Sequence, residues 1–200
     1  SDFPAKNLVV VMSTDKGLCG GVNSIMCRMT KQMFTRLEAA GKDYEVFVLG
    51  DKGKSQLRRQ YEHKFFGSAT ERVMPYSFDL ACALTADSLA AEFDAVHLVY
   101  NHFKSAISYI PSVKTIVPLR DPAAPALCNT EVEPENDAET LQNFFEYTVA
   151  TQVYHSLMDN ACSEQSSRMS AMENASKNAA EMIDKLTLQY NRARQSRITT

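Results

Sequence analysis

The stretch Glu135–Thr200, ENDAETLQNFFEYTVATQVYHSLMDNACSEQSSRMSAMENASKNAAEMIDKLTLQYNRARQSRITT, decides the fold. Its 66 residues contain neither glycine nor proline, although the chain carries seven of each. Those two residues are the main punctuators of helices, so the stretch is free to run as one very long helix. A helix from about Ala138 onward would be roughly 90 Å long, at 1.5 Å per residue. A compact domain of this mass is only about 40 Å across. Much of the helix must therefore project.

The stretch also carries an apolar stripe. Positions spaced alternately four and three are Met158, Cys162, Gln165, Met169, Met172, Ser176, Ala179, Ile183, Leu186, Tyr190 and Ala193, and nine of these eleven are apolar. This is the heptad pattern of one half of a left-handed coiled coil. Met169, Met172, Ile183, Leu186 and Tyr190 are its expected seam. A lone projecting helix with such a seam is not stable in water and needs a companion. The next-longest helical stretch, Val22–Ala40, belongs to the sheet region, so the companion is expected from outside this sequence. The competing arrangement folds the tail back as two helices, with Ser163–Ser170 as the weakest point. No glycine or proline marks such a break.

Working towards the N-terminus, the character changes near Pro134, which divides the chain into 1–134 and 135–200. All seven glycines lie between Gly17 and Gly67. Asn7–Met12 (NLVVVM) reads as a buried strand, followed by a turn at Ser13–Gly21. Val22–Ala40 has helical spacing, with Gly41 as its C-cap. Tyr44–Leu49 is a second strand, Asp51 opens a short helix, and His63–Phe66 is a third strand. Phe78–Phe93 is helical. Ala95–Tyr100 and part of Tyr109–Leu119 are further strands, the last one antiparallel at an edge. Arg120–Pro134, with three prolines, is a loop. Strands alternating with helices give a small, mainly parallel, Rossmann-like α/β sheet domain carrying one very long C-terminal helix.

Composition excludes several function classes. Basic and acidic residues nearly balance, 21 against 24, with a net charge of -3. Nucleic-acid binding needs clustered positive charge and is not expected. No apolar run is long enough to enter a membrane as a helix. The five cysteines are odd in number and lack a Cys-x-x-Cys spacing, so reduced thiols are expected rather than a disulfide scaffold or zinc site.

Chemistry-bearing candidates are few. The Gly17–Gly21 loop follows a strand and precedes a helix, the setting of a phosphate cradle. It lacks the Gly-Lys-Ser/Thr of a P-loop and the order of a dinucleotide fingerprint. A small nucleotide-binding α/β protein stays open on that loop, as do glycines that merely permit close packing. Cys19 has the helix-N-terminal setting of a nucleophile but no base in a recognisable motif. His63, His97, His102 and His155 are scattered, and His97 reads as a core or edge histidine. The acidic stretch Glu131–Glu139 reads as a solvated loop and helix start, with Asp137 as an N-cap. Arg192, Arg194 and Arg197 suit contacts with carboxylates of a surrounding protein. A free-standing coiled-coil adaptor is the third reading.

Three segments together resemble the F-type ATP synthase gamma subunits. They are Thr14-Asp15-Lys16-Gly17-Leu18-Cys19-Gly20-Gly21-Val22-Asn23-Ser24, Ser167-Arg168-Met169-Ser170-Ala171-Met172-Glu173-Asn174-Ala175-Ser176-Lys177-Asn178-Ala179, and Leu186-Thr187-Leu188-Gln189-Tyr190-Asn191-Arg192-Ala193-Arg194-Gln195-Ser196-Arg197-Ile198-Thr199. Gly50-Asp51-Lys52 and Asn101–Tyr109 resemble the mitochondrial branch. The inserted cysteine pair of the chloroplast branch has no counterpart here. Family members begin with a long helix before the first strand and continue past the Ile198-Thr199 segment, so this sequence is expected to be a piece of a longer protein.

The resemblance implies a non-catalytic central-stalk rotor with no cofactor. It implies alpha and beta subunits of the catalytic hexamer around the shaft. It implies epsilon or delta subunits and the membrane c-ring at the base, on the matrix side of the mitochondrial inner membrane. Arg194 and Gln195 resemble the pair that hydrogen-bonds a catch loop of one beta subunit; Arg192 and Arg197 flank them.

Overall fold

Lys6–Met12 (β1) is the centre of a five-stranded sheet, and every residue after Lys6 is buried. A strand covered on both faces has no solvent side to make polar, which is why it reads as a continuous apolar run. The computed structural model describes residues 3–72, 74–90, 93–118 and 138–199. Along the chain, β1 is followed by α1 (Val22–Ala39), β2 (Asp43–Leu49), α2 (Asp51–Tyr61), a 3-10 turn (Glu62–Lys64), β3 (Phe65–Ala69) and α3 (Phe78–Ser88). Then come β4 (Ala95–Ser105), β5 (Ser108–Ile116) and α4 (Ala138–Thr199). The strand order is β3-β2-β1-β4-β5. Four strands are parallel and β5 is antiparallel to β4.

The period-two alternation of strands separates two cores. Val9, Val11, Val46 and Val48 face α1 and α2, meeting Met26, Phe34, Leu37 and Leu57. Leu8, Val10, Met12, Val96 and Leu98 face the other way, against Ala81 and Leu84 of α3 and Phe145, Val149, Val153 and Leu157 of α4. The helix α1 ends in a Schellman motif: Lys42 N–H bonds the Leu37 carbonyl and Gly41 N–H that of Glu38, with Gly41 at φ +64°.

Several boundaries depart from the sequence reading. The third strand is Phe65–Ala69 rather than His63–Phe66, because Glu62–Lys64 form the 3-10 turn. The helix opened at Phe78 stops at Ser88. The fourth strand continues through polar Asn101–Ser105 into a hairpin whose return strand ends at Ile116. Within that return strand, which forms one edge of the sheet, Pro111 pairs with Asn101. The expected loop Arg120–Pro134, the N-cap assigned to Asp137 and Cys128 lie outside the described residues. Cys19, Cys27, Cys82 and Cys162 are all free thiols.

The 62-residue α4 is one unbroken helix, and the Ser163–Ser170 stretch lies within it. The fold-back arrangement is therefore excluded.

Candidate functional site

The order β3-β2-β1-β4-β5 places the topological switch point between β1 and β4, where the chain leaves one face of the sheet for the other. Open α/β sheets bind ligands in the crevice beyond the strand ends at that point. Here the crevice is bordered by the Ser13–Gly21 loop and Asn101, and α4 lies across it. The loop is held tightly. Thr14 N–H donates to Asn23 Oδ1 at 3.1 Å, Asn23 Nδ2 donates to Thr14 Oγ1 at 2.8 Å, and Lys52 N–H donates to the Thr14 carbonyl at 3.0 Å.

Ser167 Oγ of α4 donates to the Cys19 carbonyl at 2.7 Å. Gly20, at φ +59°, takes a conformation that side chains disfavour, and a Cβ there would press on Ser167 Oγ at 2.9 Å. Of the three glycines that suggested a phosphate cradle, Gly20 thus lets the loop close onto α4. Cys19 is buried, and its sulfur lies 3.3 Å from Asn23 Nδ2.

One turn below, Ser163 Oγ donates to the Asn101 carbonyl at 3.1 Å, and Asn101 Nδ2 donates to Asn160 Oδ1 at 3.1 Å. Ser166 Oγ donates to the Ala106 carbonyl at 2.6 Å, and His102 Nδ1 lies 2.6 Å from Asp159 Oδ2. Buried Glu164 pairs with Arg168. This polar collar spans Asp159–Arg168 and closes over the carboxyl end of the sheet. Below it, α4 is held by an apolar stripe at strict four-residue spacing: Leu141, Phe145, Val149, Val153 and Leu157. The sequence reading missed both. Their signal was present: four-spaced apolar residues, then Asn160, Ser163 and Ser167 at three- and four-residue steps along one helix face.

Beyond the collar nothing among the described residues covers α4. Met169 is 59% exposed, Ile183 64% and Tyr190 67%, and Met172 and Leu186 are exposed too. The lower seam positions Met158, Cys162 and Gln165 lie on nearly the opposite side of α4 from the collar and are likewise exposed. The seam is thus open along its whole length. Arg192, Arg194, Gln195 and Arg197 sit on the exposed distal helix. If Tyr190 is an a position, Arg197 is the next a, Arg194 flanks it at e, and Arg192 and Gln195 point away at c and f. The four side chains therefore ring the rod rather than form one patch.

His97 is a satisfied core histidine. Its Nδ1 meets Thr115 Oγ1 at 2.8 Å and its Nε2 meets Asn7 Oδ1 at 3.0 Å. Burial lowers its pKa from 6.5 to about 4. Among the described residues no group of three metal-ligating side chains is assembled, and no helix is long and apolar enough to cross a membrane.

Comparison with known proteins agrees with this geometry. A family model described as ATP synthase matches residues 2–200. The ATP synthase gamma chain of Fuscovulum blasticum is 40% identical over 198 residues, covering 96% of this chain and 69% of the relative. The rat protein named ATP synthase F(1) complex subunit gamma, mitochondrial, is 40% identical over 197 residues, covering 97% and 71%. Among solved structures, a chain of the Tetrahymena thermophila mitochondrial ATP synthase central stalk and c-ring superposes with a TM-score of 0.70 at 32% identity, covering 88% of this chain and 79% of that one. A sheet domain that grips one end of a long bare helix, matched almost end to end by these relatives, shows that the chain belongs to the ATP synthase family, among its gamma chains.

Proposed function

We propose that this chain is the central-stalk rotor subunit of an F-type ATP synthase, coupling proton-driven rotation to conformational change at the catalytic beta subunits. The observation that carries this is a single helix whose base is locked into a sheet while its distal half presents an uncovered apolar seam. We assign residues 1–134 to the base and 135–200 to the shaft; α4 is bedded on that base as far as Ser167, nearly half its length. The chain catalyses nothing itself; catalysis belongs to beta. It sits at the matrix face of the mitochondrial inner membrane, peripheral to it. The base meets the epsilon or delta subunits and the c-ring, and the shaft enters the ring of alpha and beta subunits.

The mechanism rests on asymmetry. Three chemically identical catalytic sites differ only if the shaft touches them unequally, because a contact equal in all conformations shifts no equilibrium. Turning the shaft changes which site is held open. By linkage, hydrolysis drives the reverse turn.

Met169, Met172, Ile183, Leu186 and Tyr190 form the seam against a second helix. Ile183→Asp should block assembly, since it places an unpaired charge in that seam; normal assembly of the variant would show that this face stays wet. Arg194 and Gln195 contact a beta subunit, Arg194 through its planar fork. The test of the function is Arg194→Ala in reconstituted complexes. We expect weakened coupling between hydrolysis and proton pumping with the sheet domain still folded. Unchanged hydrolysis and unchanged ATP-driven pumping would count against the assignment.

A further inference from the structure

The two ways in which α4 is held differ in kind. From Leu141 to Leu157 the contact is apolar, and apolar contact is non-directional: it resists separation better than it resists sliding or twisting. From Asn160 to Ser167 the groups α4 buries against the sheet are polar, and the largest is Glu164. That exchange is unfavourable for adhesion alone. The Oδ1 of Asn101 is buried there without a hydrogen-bond partner, and one polar group, the Ser156 Oγ, is likewise unmet just below, at the end of the apolar section. Buried polar contacts with unmet groups stabilise less than apolar packing of similar volume. What they supply instead is direction. Each hydrogen bond is satisfied at one rotation of the helix about its own axis, and the collar makes several at successive turns. Two accept on backbone carbonyls of different elements: Cys19 in the loop after β1, and Asn101 in β4. A third accepts on the hairpin carbonyl of Ala106. The absence of a side chain at Gly20 brings the loop close enough for the first of these.

We propose that this collar is the torsional joint of the rotor. Ser163 and Ser167 act as positioning residues that fix the angular register between the shaft and the sheet domain, so that twist applied at one is delivered at the other. This rests on the rotor reading above. In the section from Leu141 to Leu157 a twist is opposed by packing and by one exposed side-chain bond, Lys114 Nζ to Gln152 Oε1. At the collar it must break directional bonds to three separate elements before the shaft turns independently of its base.

The experiment uses the complete complex with the catalytic hexamer immobilised and a rotation probe on the sheet domain. Four forms are compared: unsubstituted, Ser163→Ala with Ser167→Ala, Ser167→Ala, and Ser167→Thr, which keeps the hydroxyl. Amide exchange around residues 160–168 is followed in the same complexes. Ser167→Ala should show roughly fivefold faster exchange there, the loss expected from removing one bond of ordinary strength, and roughly twenty-five-fold is expected of the double variant, which lacks two. The double variant should also show a wider angular spread of the probe at each pause, with Ser167→Ala intermediate and Ser167→Thr restored to the unsubstituted width. An equal spread in all four forms, or a spread equally wide in Ser167→Thr, overturns the joint. Failure of the unsubstituted probe to turn under ATP removes the rotor reading itself, a separate and visible result.

Discussion

The two parts of α4, one bedded on the sheet and one bare, have the same secondary structure but different apolar periods. In the bedded part the apolar residues recur every fourth position, Leu141 to Leu157. In the bare part they recur at alternating three and four. A stripe at strict four-residue spacing drifts around a straight helix, as suits a rod lying obliquely on a twisted sheet. A stripe averaging three and a half follows a supercoiling neighbour. The period therefore reports what each part is built to touch. On the coiled-coil reading proposed above, an exposed leucine in the bare part marks an interface rather than a folding defect.

The sharpest way to break this contrast is matched truncation in the isolated chain. Phe145→Ala should cost about 3–5 kcal/mol, whereas Leu186→Ala should change stability by less than about 0.5 kcal/mol, measured by denaturant unfolding. Comparable losses at both sites would mean that the distal helix is not bare. Acid supplies a second asymmetry. His97 is buried in the sheet with its pKa lowered from 6.5 to about 4. The unfolded chain takes up a proton there that the folded one refuses. The contribution of His97 is thus complete above pH 6.5 and is lost as pH falls towards 4, by roughly 3 kcal/mol. His97→Gln should flatten that part of the stability–pH curve relative to the parent; parallel curves would show that His97 is not held neutral. The smallest effect concerns the thiols. Burial raises the Cys27 pKa to about 11. Alkylation read by mass spectrometry should mark exposed Cys82 and Cys162 and spare Cys27 in the isolated chain. In the assembled complex Cys162, on the seam side, should become protected while Cys82 stays reactive.

These contrasts also show what the sequence could reveal. The long helix and the central strands were legible because each follows from a repeat of one property along a local window. The third strand was misplaced because Phe-Phe-Gly-Ser-Ala does not look like a strand. Gly67 is there because a Cβ would lie 2.7 Å from the Phe47 ring of the neighbouring strand, a contact fixed only by tertiary structure. The hairpin was read short because Asn101 and His102 are polar, and their partners Asn160 and Asp159 come from nearly sixty residues away. The spacing of the collar residues along one helix face was there to see, but what they bind was not, for the same reason. Serines and an asparagine in a helix are unremarkable until the carbonyls they meet, of Cys19 and Asn101, are placed above them.

The edges of the sheet have a consequence for life inside a crowded assembly. On one side the outermost strand carries Pro111, which has no N–H to offer, and on the other the outermost strand is only five residues long. Among the described residues, a stray extended segment from a neighbouring polypeptide finds a row of donors interrupted at Pro111 on one side and a short strand on the other. The base is in this way insulated from unwanted strand exchange.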